Sequence, residues 1–120
     1  MNGETALLDL HTLPEPGSAT LETDYDGRRV SIMIIRHHGA VHGYLNDCPH
    51  LGTPLDWLPG EVLDRDHRHI ICATHGARFR IRDGLCISGP CLGDRLAAVP
   101  LSVRGGVIYL KPPSDSCAEA

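Results

Sequence analysis

The hydrophobic positions of this chain fall in short alternating runs, without helical spacing. The most β-prone run is VSIMII at residues 30–35, and the turn-forming pairs DG (26–27) and HG (38–39) flank it. Glycine accepts the positive φ of a tight turn at low cost, so each pair predicts a hairpin. The strands we expect cover residues 6–10, 19–23, 30–35, 40–45, 69–71, 85–88, 99–103 and 107–110. The pattern therefore predicts an all-β sandwich or barrel.

Length and composition bound this prediction. The 120 residues predict one domain, residues 1–120, with a small polar tail at 112–120 that we expect to fray. The 13 glycines and nine prolines are typical of a turn-rich chain, and 42% hydrophobic residues exclude a disordered one. The chain has eight histidines but only five Phe, Trp and Tyr residues. A small core so short of aromatic residues often depends on a metal or on disulfides.

Several classes of protein are disfavoured by the same numbers. No apolar run approaches the roughly 20 residues that cross a bilayer, and the N-terminus has no secretory pattern. A net charge of -4 argues against a nucleic-acid-binding protein. Five cysteines without a secretory signal favour metal binding over disulfides. We therefore expect a cytoplasmic monomer that binds neither nucleic acid nor membrane.

Two short motifs carry the candidate chemistry. They read CPHLG at 48–52 and CATHG at 72–76, so each offers one thiolate and one imidazole followed by glycine. Zinc accepts two cysteines and two histidines, but zinc fingers usually group ligands of one kind and carry the histidines on a helix. One ligand of each kind per loop fits a two-iron cluster better, with the cysteines on one iron and the histidines on the other. The four candidate ligands are Cys48, His50, Cys72 and His75.

These motifs resemble the Rieske [2Fe–2S] signature, Cys-x-His followed by Cys-x-x-His-Gly. The segment DG (83–84) followed by SGP (88–90) is similar to the third, proline-bearing loop that covers the cluster in that family. The similarity spans about residues 7–110. It implies an antiparallel β-sandwich or barrel with a cluster-binding subdomain at about 46–92. It also implies one [2Fe–2S] cluster per chain, with the outer nitrogens of both histidines facing solvent.

The chain departs from the high-potential members of that family. Thr53 and Ala73 occupy positions where those members carry two disulfide-forming cysteines. Ala77 and Phe79 replace a Ser and a Tyr whose hydroxyls donate hydrogen bonds to sulfur. Residues 57–68, between the loops, are longer than in the simplest ferredoxins. Fewer donors make reduction less favourable, so we expect a low potential.

Other polar and sulfur-containing residues have two interpretations each. Cys86 and Cys91 flank the proline-bearing loop, either as buried packing residues or as a disulfide or redox-sensitive pair. The arginines alternating with Phe79 and Ile81 form a solvated strand face or a docking patch. We expect the remaining histidines, at 11, 37, 38, 42, 67 and 69, to be surface residues.

The resemblance implies single-electron transfer, and hence an electron-transfer protein that is not itself an enzyme. The leading hypothesis is a carrier that takes electrons from a flavin reductase to a terminal oxygenase or similar enzyme. The arginines at 65, 68, 78, 80 and 82 would help to select the partner. The alternatives are a permanently bound electron-transfer subunit, as in nitrite reductases, and a structural zinc protein. On length we expect no second domain with mononuclear iron.

Overall fold

The computed structural model describes residues 4–47, 55–56, 60–72 and 76–111. Within them, nine strands form three antiparallel sheets of three strands each, in the orders β1-β9-β8, β2-β3-β4 and β5-β6-β7. The strands are β1 Thr5–Asp9, β2 Gly17–Tyr25, β3 Arg28–His37, β4 Ala40–Leu45, β5 His69–Ile71, β6 Arg78–Arg80, β7 Cys86–Ser88, β8 Leu101–Arg104 and β9 Val107–Leu110. A single 3₁₀ turn, Leu10–Thr12, follows β1. The predicted all-β antiparallel class is confirmed, and none of the helices in these ranges could cross a membrane.

The two hairpins around β3 form at the predicted dipeptides. Asp26 and Gly27 have φ values of 55° and 76°, and His38 and Gly39 have 52° and 77°. Two consecutive positive φ values define the type I′ turn, whose twist matches that of the flanking strands. The turns therefore set the register in which β3 pairs with β2 and β4.

Several strand boundaries differ from the predicted ones, and two of the differences have a clear physical reason. β2 extends over nine residues because it pairs with β3 from Gly17 to Tyr25, although only 19–23 have a strand-like pattern. β8 begins at Leu101, two residues later than predicted. Pro100 has no N–H to donate to a ladder, and Val99 instead donates its N–H to the carbonyl of Gly43 at 2.9 Å.

Strand β3 separates two hydrophobic cores. Ile32 and Ile34 join a core that includes residues of β9, whereas Met33 and Ile35 join a second core built around Phe79 of β6. Successive side chains of a strand point to opposite faces, so the side chains of an uninterrupted apolar run pack alternately into the two cores. All four residues are fully buried. The β5-β6-β7 sheet, which carries Cys72 at its edge, is thereby packed against the rest of the molecule.

Tyr44 of β4 provides a polar connection to the same region. Its hydroxyl donates a hydrogen bond to the carbonyl of Ile81 at 2.5 Å, in the turn after β6. Burial, reinforced by the nearby Asp83 carboxylate, raises the pKa of Tyr44 to about 12. Gly84 packs against the ring, where an added Cβ would lie 2.9 Å from the Tyr44 Cε1.

The raised pKa of Tyr44 predicts a loss of stability in alkali. The folded state holds this proton up to about pH 12, whereas an unfolded tyrosine releases it near pH 10, so the stabilisation falls as the pH rises between these values. We expect the free energy of unfolding to fall by about 1 kcal/mol more in wild type than in Tyr44→Phe between about pH 9 and about pH 11. Urea denaturation at each pH measures this difference, and parallel curves for the two proteins would contradict the prediction.

Candidate metal centre

Of the four predicted ligands, one lies within the described residues. Cys72 directly follows β5 and is 1% exposed. Cys48, His50 and His75 lie outside the described residues. In the ranges the structure does describe, no three His, Cys, Asp or Glu side chains are grouped closely enough to hold a metal ion. The ligand set therefore stays a prediction, and the structure shows the frame around it.

The second motif is closed by backbone hydrogen bonds at its base. The Cys72 N–H donates to the carbonyl of Ala77 at 2.9 Å, and the Gly76 N–H donates to the carbonyl of Cys72 at 2.8 Å. Gly76 has a φ of 69°, in the region that favours glycine. Strands β5 and β6 thus hold both ends of the CATHG segment, with the Cys72 thiol turned into the protein.

A side chain, by contrast, clamps the base of the first motif. Asn46, 8% exposed at the end of β4, accepts a hydrogen bond from the Leu55 N–H through Oδ1 at 2.7 Å. Its Nδ2 donates to Asp56 Oδ1 at 3.2 Å and to Ser31 Oγ at 3.3 Å. Residues 46 and 55 bracket the CPHLG motif, so one amide joins the two ends of the segment that carries Cys48 and His50.

Asp56 extends this clamp to strand β2. Its Oδ2 accepts hydrogen bonds at 3.4 Å from the Thr20 hydroxyl and from the Gly60 N–H. The Ser18 hydroxyl donates to the carbonyl of Gly60 at 2.7 Å and accepts from the Val62 N–H at 3.3 Å. Neither Asn46 nor Asp56 stands out in the sequence as a supporting residue. A single Asn or Asp beside a loop is too common to signal such a role.

The third loop lies directly against the second. Gly89 has a φ of 105°, and an added Cβ would lie only 2.8 Å from the Cα of Ala77. Pro90 follows at once in the sequence. The proline-bearing segment is therefore held against Ala77, at the base of the CATHG loop.

The described surroundings of Cys72 fit an iron–sulfur cluster. A cavity of about 600 Å³ borders Cys72 and Gly76 and is also lined by charged side chains, those of Asp64, Arg65, Asp66 and Arg78. Ala77 and Phe79 are fully buried and belong to the same hydrophobic core as Cys72. A buried thiolate beside a glycine that lacks a side chain is a suitable donor for iron, and the backbone can approach closely there.

Histidines and arginines also meet outside this centre. Four imidazoles and three guanidinium groups surround a groove of about 320 Å³. They belong to His37, His38, His42, His69, Arg68, Arg80 and Arg82. Burial, together with a neighbouring histidine, lowers the pKa of both His37 and His42. The lowered pKa values favour the neutral form of His37 and His42, whereas the three arginines are positively charged.

Two carboxylates hold the arginine-bearing strand in place. Asp64 Oδ2 lies 3.4 Å from His69 Nδ1 and 3.6 Å from Arg78 Nε. Burial alone would raise the pKa of Asp64, but hydrogen bonds from the N–H groups of Arg68 and His69 and from the His69 ring lower it. Asp83 forms two hydrogen bonds with the Arg80 guanidinium, which lower the pKa of Asp83 to about 2.

The strands, the two clamped loops and the proline-bearing third loop define a small β protein built to enclose a metal cluster. A model of the Rieske [2Fe–2S] domain family matches residues 7–103. The chain belongs to this family, which binds one [2Fe–2S] cluster, and it is an electron-transfer protein rather than an enzyme.

Solved structures agree with this assignment. The ferredoxin of carbazole 1,9a-dioxygenase from Nocardioides aromaticivorans IC177 matches with a TM-score of 0.69 and 26% identity, over 91% of this chain and 99% of that chain. A chain of the reduced complex between oxygenase and ferredoxin in carbazole 1,9a-dioxygenase matches with a TM-score of 0.75 and 19% identity, over 96% and 31% of the two chains.

The terminal oxygenase of carbazole 1,9a-dioxygenase from Novosphingobium sp. KA1 matches with a TM-score of 0.76 and 19% identity, over 94% of this chain and 30% of that chain. The two matches at 19% identity show the fold alone. This chain spans less than a third of each of those longer chains. No curated protein matches the sequence.

Proposed function

We propose that this protein is a one-electron carrier that takes electrons from a flavin reductase and delivers them to a terminal oxygenase or a similar enzyme. One observation carries the proposal: the match to a ferredoxin of a dioxygenase system runs over 99% of that ferredoxin and 91% of this chain. The longer oxygenase-system chains, by contrast, are matched over less than a third of their length.

Within this proposal, Cys48 and Cys72 bind one iron, and His50 and His75 bind the other. The bound cluster would supply reversible one-electron chemistry. Cys72 presents its thiol from a buried position, and Asn46 holds together the ends of the loop that carries the first two ligands. Both roles are structural, since they fix where the ligands lie and leave the electron chemistry to the metal.

We further propose a monomeric, single-domain protein of the cytoplasm.

The surroundings of Cys72 predict a low potential. Ala77 and Phe79 are fully buried and offer no hydroxyl at the positions where high-potential members donate hydrogen bonds to sulfur. Reduction adds negative charge, so missing donors disfavour it. We expect a midpoint near or below the low end of the roughly -150 to +300 mV Rieske range. A redox titration of protein carrying two irons and two sulfides per chain measures it, and a midpoint above about +100 mV would contradict the prediction.

The midpoint potential of the variant Ala77→Ser, compared with that of wild type, tests this explanation. One added hydrogen bond of about 1 kcal/mol corresponds to roughly 40 mV for a one-electron couple. We expect Ala77→Ser, assayed with an intact cluster spectrum, to move the midpoint upward by an amount of that order.

The cationic groove is the candidate docking surface for the redox partner. Arg80 and His69 pair across β5 and β6, and His69 precedes Cys72 by three residues, about 10 Å along an extended strand. In the described part of the chain Arg68 and Arg82 form no ion pair, so their charges are available to an acidic partner. Ile87 and Leu92, on either side of Pro90 in the sequence, are exposed apolar side chains, at 39% and 67%.

Charge reversal at Arg68 and Arg82 tests this docking surface and, with it, the carrier role. We expect the double variant Arg68→Glu, Arg82→Glu to slow the second-order transfer of electrons to the partner oxygenase by about tenfold or more at low salt. Stopped-flow absorption of the cluster measures the rate. The cluster spectrum should be unchanged, because both side chains are exposed. Arg78 and Arg80 are poorer targets, since reversing them would also disrupt their pairs with Asp64 and Asp83.

Arg28 offers a control for this double variant. It is exposed at the β2-β3 turn, at the opposite end of β3 from His37 and so about 30 Å away along the strand. Arg28→Glu should leave the rate within about twofold of wild type. Equal rates for the groove variant and wild type would remove the groove from the docking surface. Absence of any electron transfer from the wild-type protein to an oxygenase would contradict the carrier role itself.

A further inference from the structure

The third loop contains a pair of sulfur atoms that the cluster does not use. Cys86 begins β7 and Cys91 lies five residues later, and they are 1% and 2% exposed. Their Sγ atoms are 3.2 Å apart, with the Cys91 thiol donating to the Cys86 sulfur. The Cys86 thiol in turn donates to the carbonyl of Ser88 at 3.3 Å.

We propose that Cys86 and Cys91 form a reversible dithiol–disulfide couple, a second redox site in this chain that exchanges two electrons. A disulfide needs a sulfur–sulfur distance of about 2.0 Å, so closing the present gap takes little more than 1 Å of combined movement. The inference is independent of the proposed carrier role, because it rests on the loop alone.

Backbone hydrogen bonds hold the two cysteines in one closed segment. Asp94 connects them: its carbonyl accepts the Cys86 N–H at 2.8 Å, and its own N–H donates to the carbonyl of Cys91 at 2.8 Å. The Gly93 N–H donates to the carbonyl of Cys86 at 3.1 Å. Both sulfurs are therefore kept together by a closed loop, which raises the effective concentration of one thiol at the other.

The oxidant we propose is a low-molecular-weight disulfide such as oxidised glutathione, which reaches these buried sulfurs when the segment at 86–94 opens locally. Cys86 loses its proton, and its thiolate attacks one sulfur of that disulfide, so that one glutathione leaves as a thiol and a mixed disulfide forms. Cys91 then attacks the Cys86 sulfur, forming the protein disulfide and releasing the second glutathione. Two protein thiols are oxidised and one glutathione disulfide is reduced. The 3.2 Å contact between the two sulfurs places Cys91 for the second step once Cys86 has formed the mixed disulfide.

The position of the pair connects this couple to the metal centre. Gly89, between the two cysteines, lies so close to Ala77 that no side chain would fit there. A disulfide across residues 86–91 would restrict the loop that packs against Ala77, the residue that follows the CATHG segment. We therefore expect the oxidised protein to lose its cluster to a chelator about three- to tenfold more slowly than the dithiol form.

Anaerobic equilibration of the cluster-loaded protein in glutathione redox buffers tests the inference. A Cys117→Ser background removes the remaining thiol that is not a predicted ligand. After an acid quench, alkylation with N-ethylmaleimide under denaturing conditions and peptide mapping count the thiols. We expect a peptide disulfide joining residues 86 and 91, with a two-electron dependence on the glutathione ratio and full reversal by excess thiol.

Single substitutions provide the comparison. Cys86→Ala and Cys91→Ala, each with an intact cluster spectrum, should form no internal disulfide. Both variants should lose their cluster to a chelator equally fast in oxidising and in reducing buffer. Two outcomes would overturn the proposal. The first is wild-type protein with both thiols still alkylated in the most oxidising buffer. The second is protein carrying only glutathione adducts at these cysteines.

Discussion

Asn46→Ala should destabilise the protein by about 2 to 3 kcal/mol and shorten the lifetime of its cluster in a chelator more than tenfold. Asn46 Oδ1 accepts the Leu55 N–H at 2.7 Å, and Leu55 is fully buried. Without that acceptor a buried N–H has no partner, which costs more than the net value of the hydrogen bond. The ends of the loop that carries Cys48 and His50 would then separate readily.

Asp47→Ala is the matched control for this substitution. Asp47 is one residue closer to the ligand motif, yet it is exposed. We expect its free energy of unfolding to stay within about 0.5 kcal/mol of wild type. Urea denaturation measures stability, and loss of visible absorption in the presence of a chelator measures cluster lifetime. If both variants lost the cluster equally fast, Asn46 would have no special role at the loop base.

The second large effect is expected at Gly89, where Gly89→Ala should cost about 3 kcal/mol or more and leave most of the protein without a cluster. Two penalties add at this position. A φ of 105° is strained for any residue with a side chain, and the new Cβ would lie 2.8 Å from the backbone Cα of Ala77. Since backbone cannot rotate away, either the third loop or the CATHG loop must move.

Gly93→Ala separates the two penalties. Gly93 lies in the same loop with a similar φ of 90°, but an added Cβ there would meet nothing within 4 Å. We expect Gly93→Ala to cost about 1 to 2 kcal/mol from backbone strain alone and to keep its cluster. Iron and sulfide content, measured with the unfolding free energy, distinguishes the variants. Equal cluster content in both would show that the contact with Ala77 does not support the metal site.

Local sequence patterns predicted the parts of this fold that local chemistry determines. The DG and HG pairs produced the expected turns because two positive φ values are needed there, whatever the rest of the chain does. The residues at 30–35 are sufficient to predict a strand. They do not predict that its side chains pack into two different cores, because that depends on which sheets pack on each face. The nine-residue length of β2 likewise follows from its partner, β3.

At the metal centre, the resemblance to the Rieske family predicted the ligand residues in the two motifs. The structure shows the side chains that support those motifs. Family membership is now established, whereas the four ligands stay a prediction. Asn46 forms hydrogen bonds with Leu55 and Asp56, and no sequence spacing predicts them. The histidines at 37, 42 and 69, interpreted as separate surface residues, line one groove because the β3-β4 turn meets strand β5. Tertiary contacts between segments that are distant in the sequence have no short sequence pattern that would predict them.

The position of β3 between two cores has a consequence for how this protein unfolds. Its alternate side chains belong to the packing on either face, so loss of β3 would disrupt both cores at once. We therefore expect the β5-β6-β7 sheet not to unfold as an independent unit. Unfolding of this sheet and global unfolding are expected to form one cooperative transition.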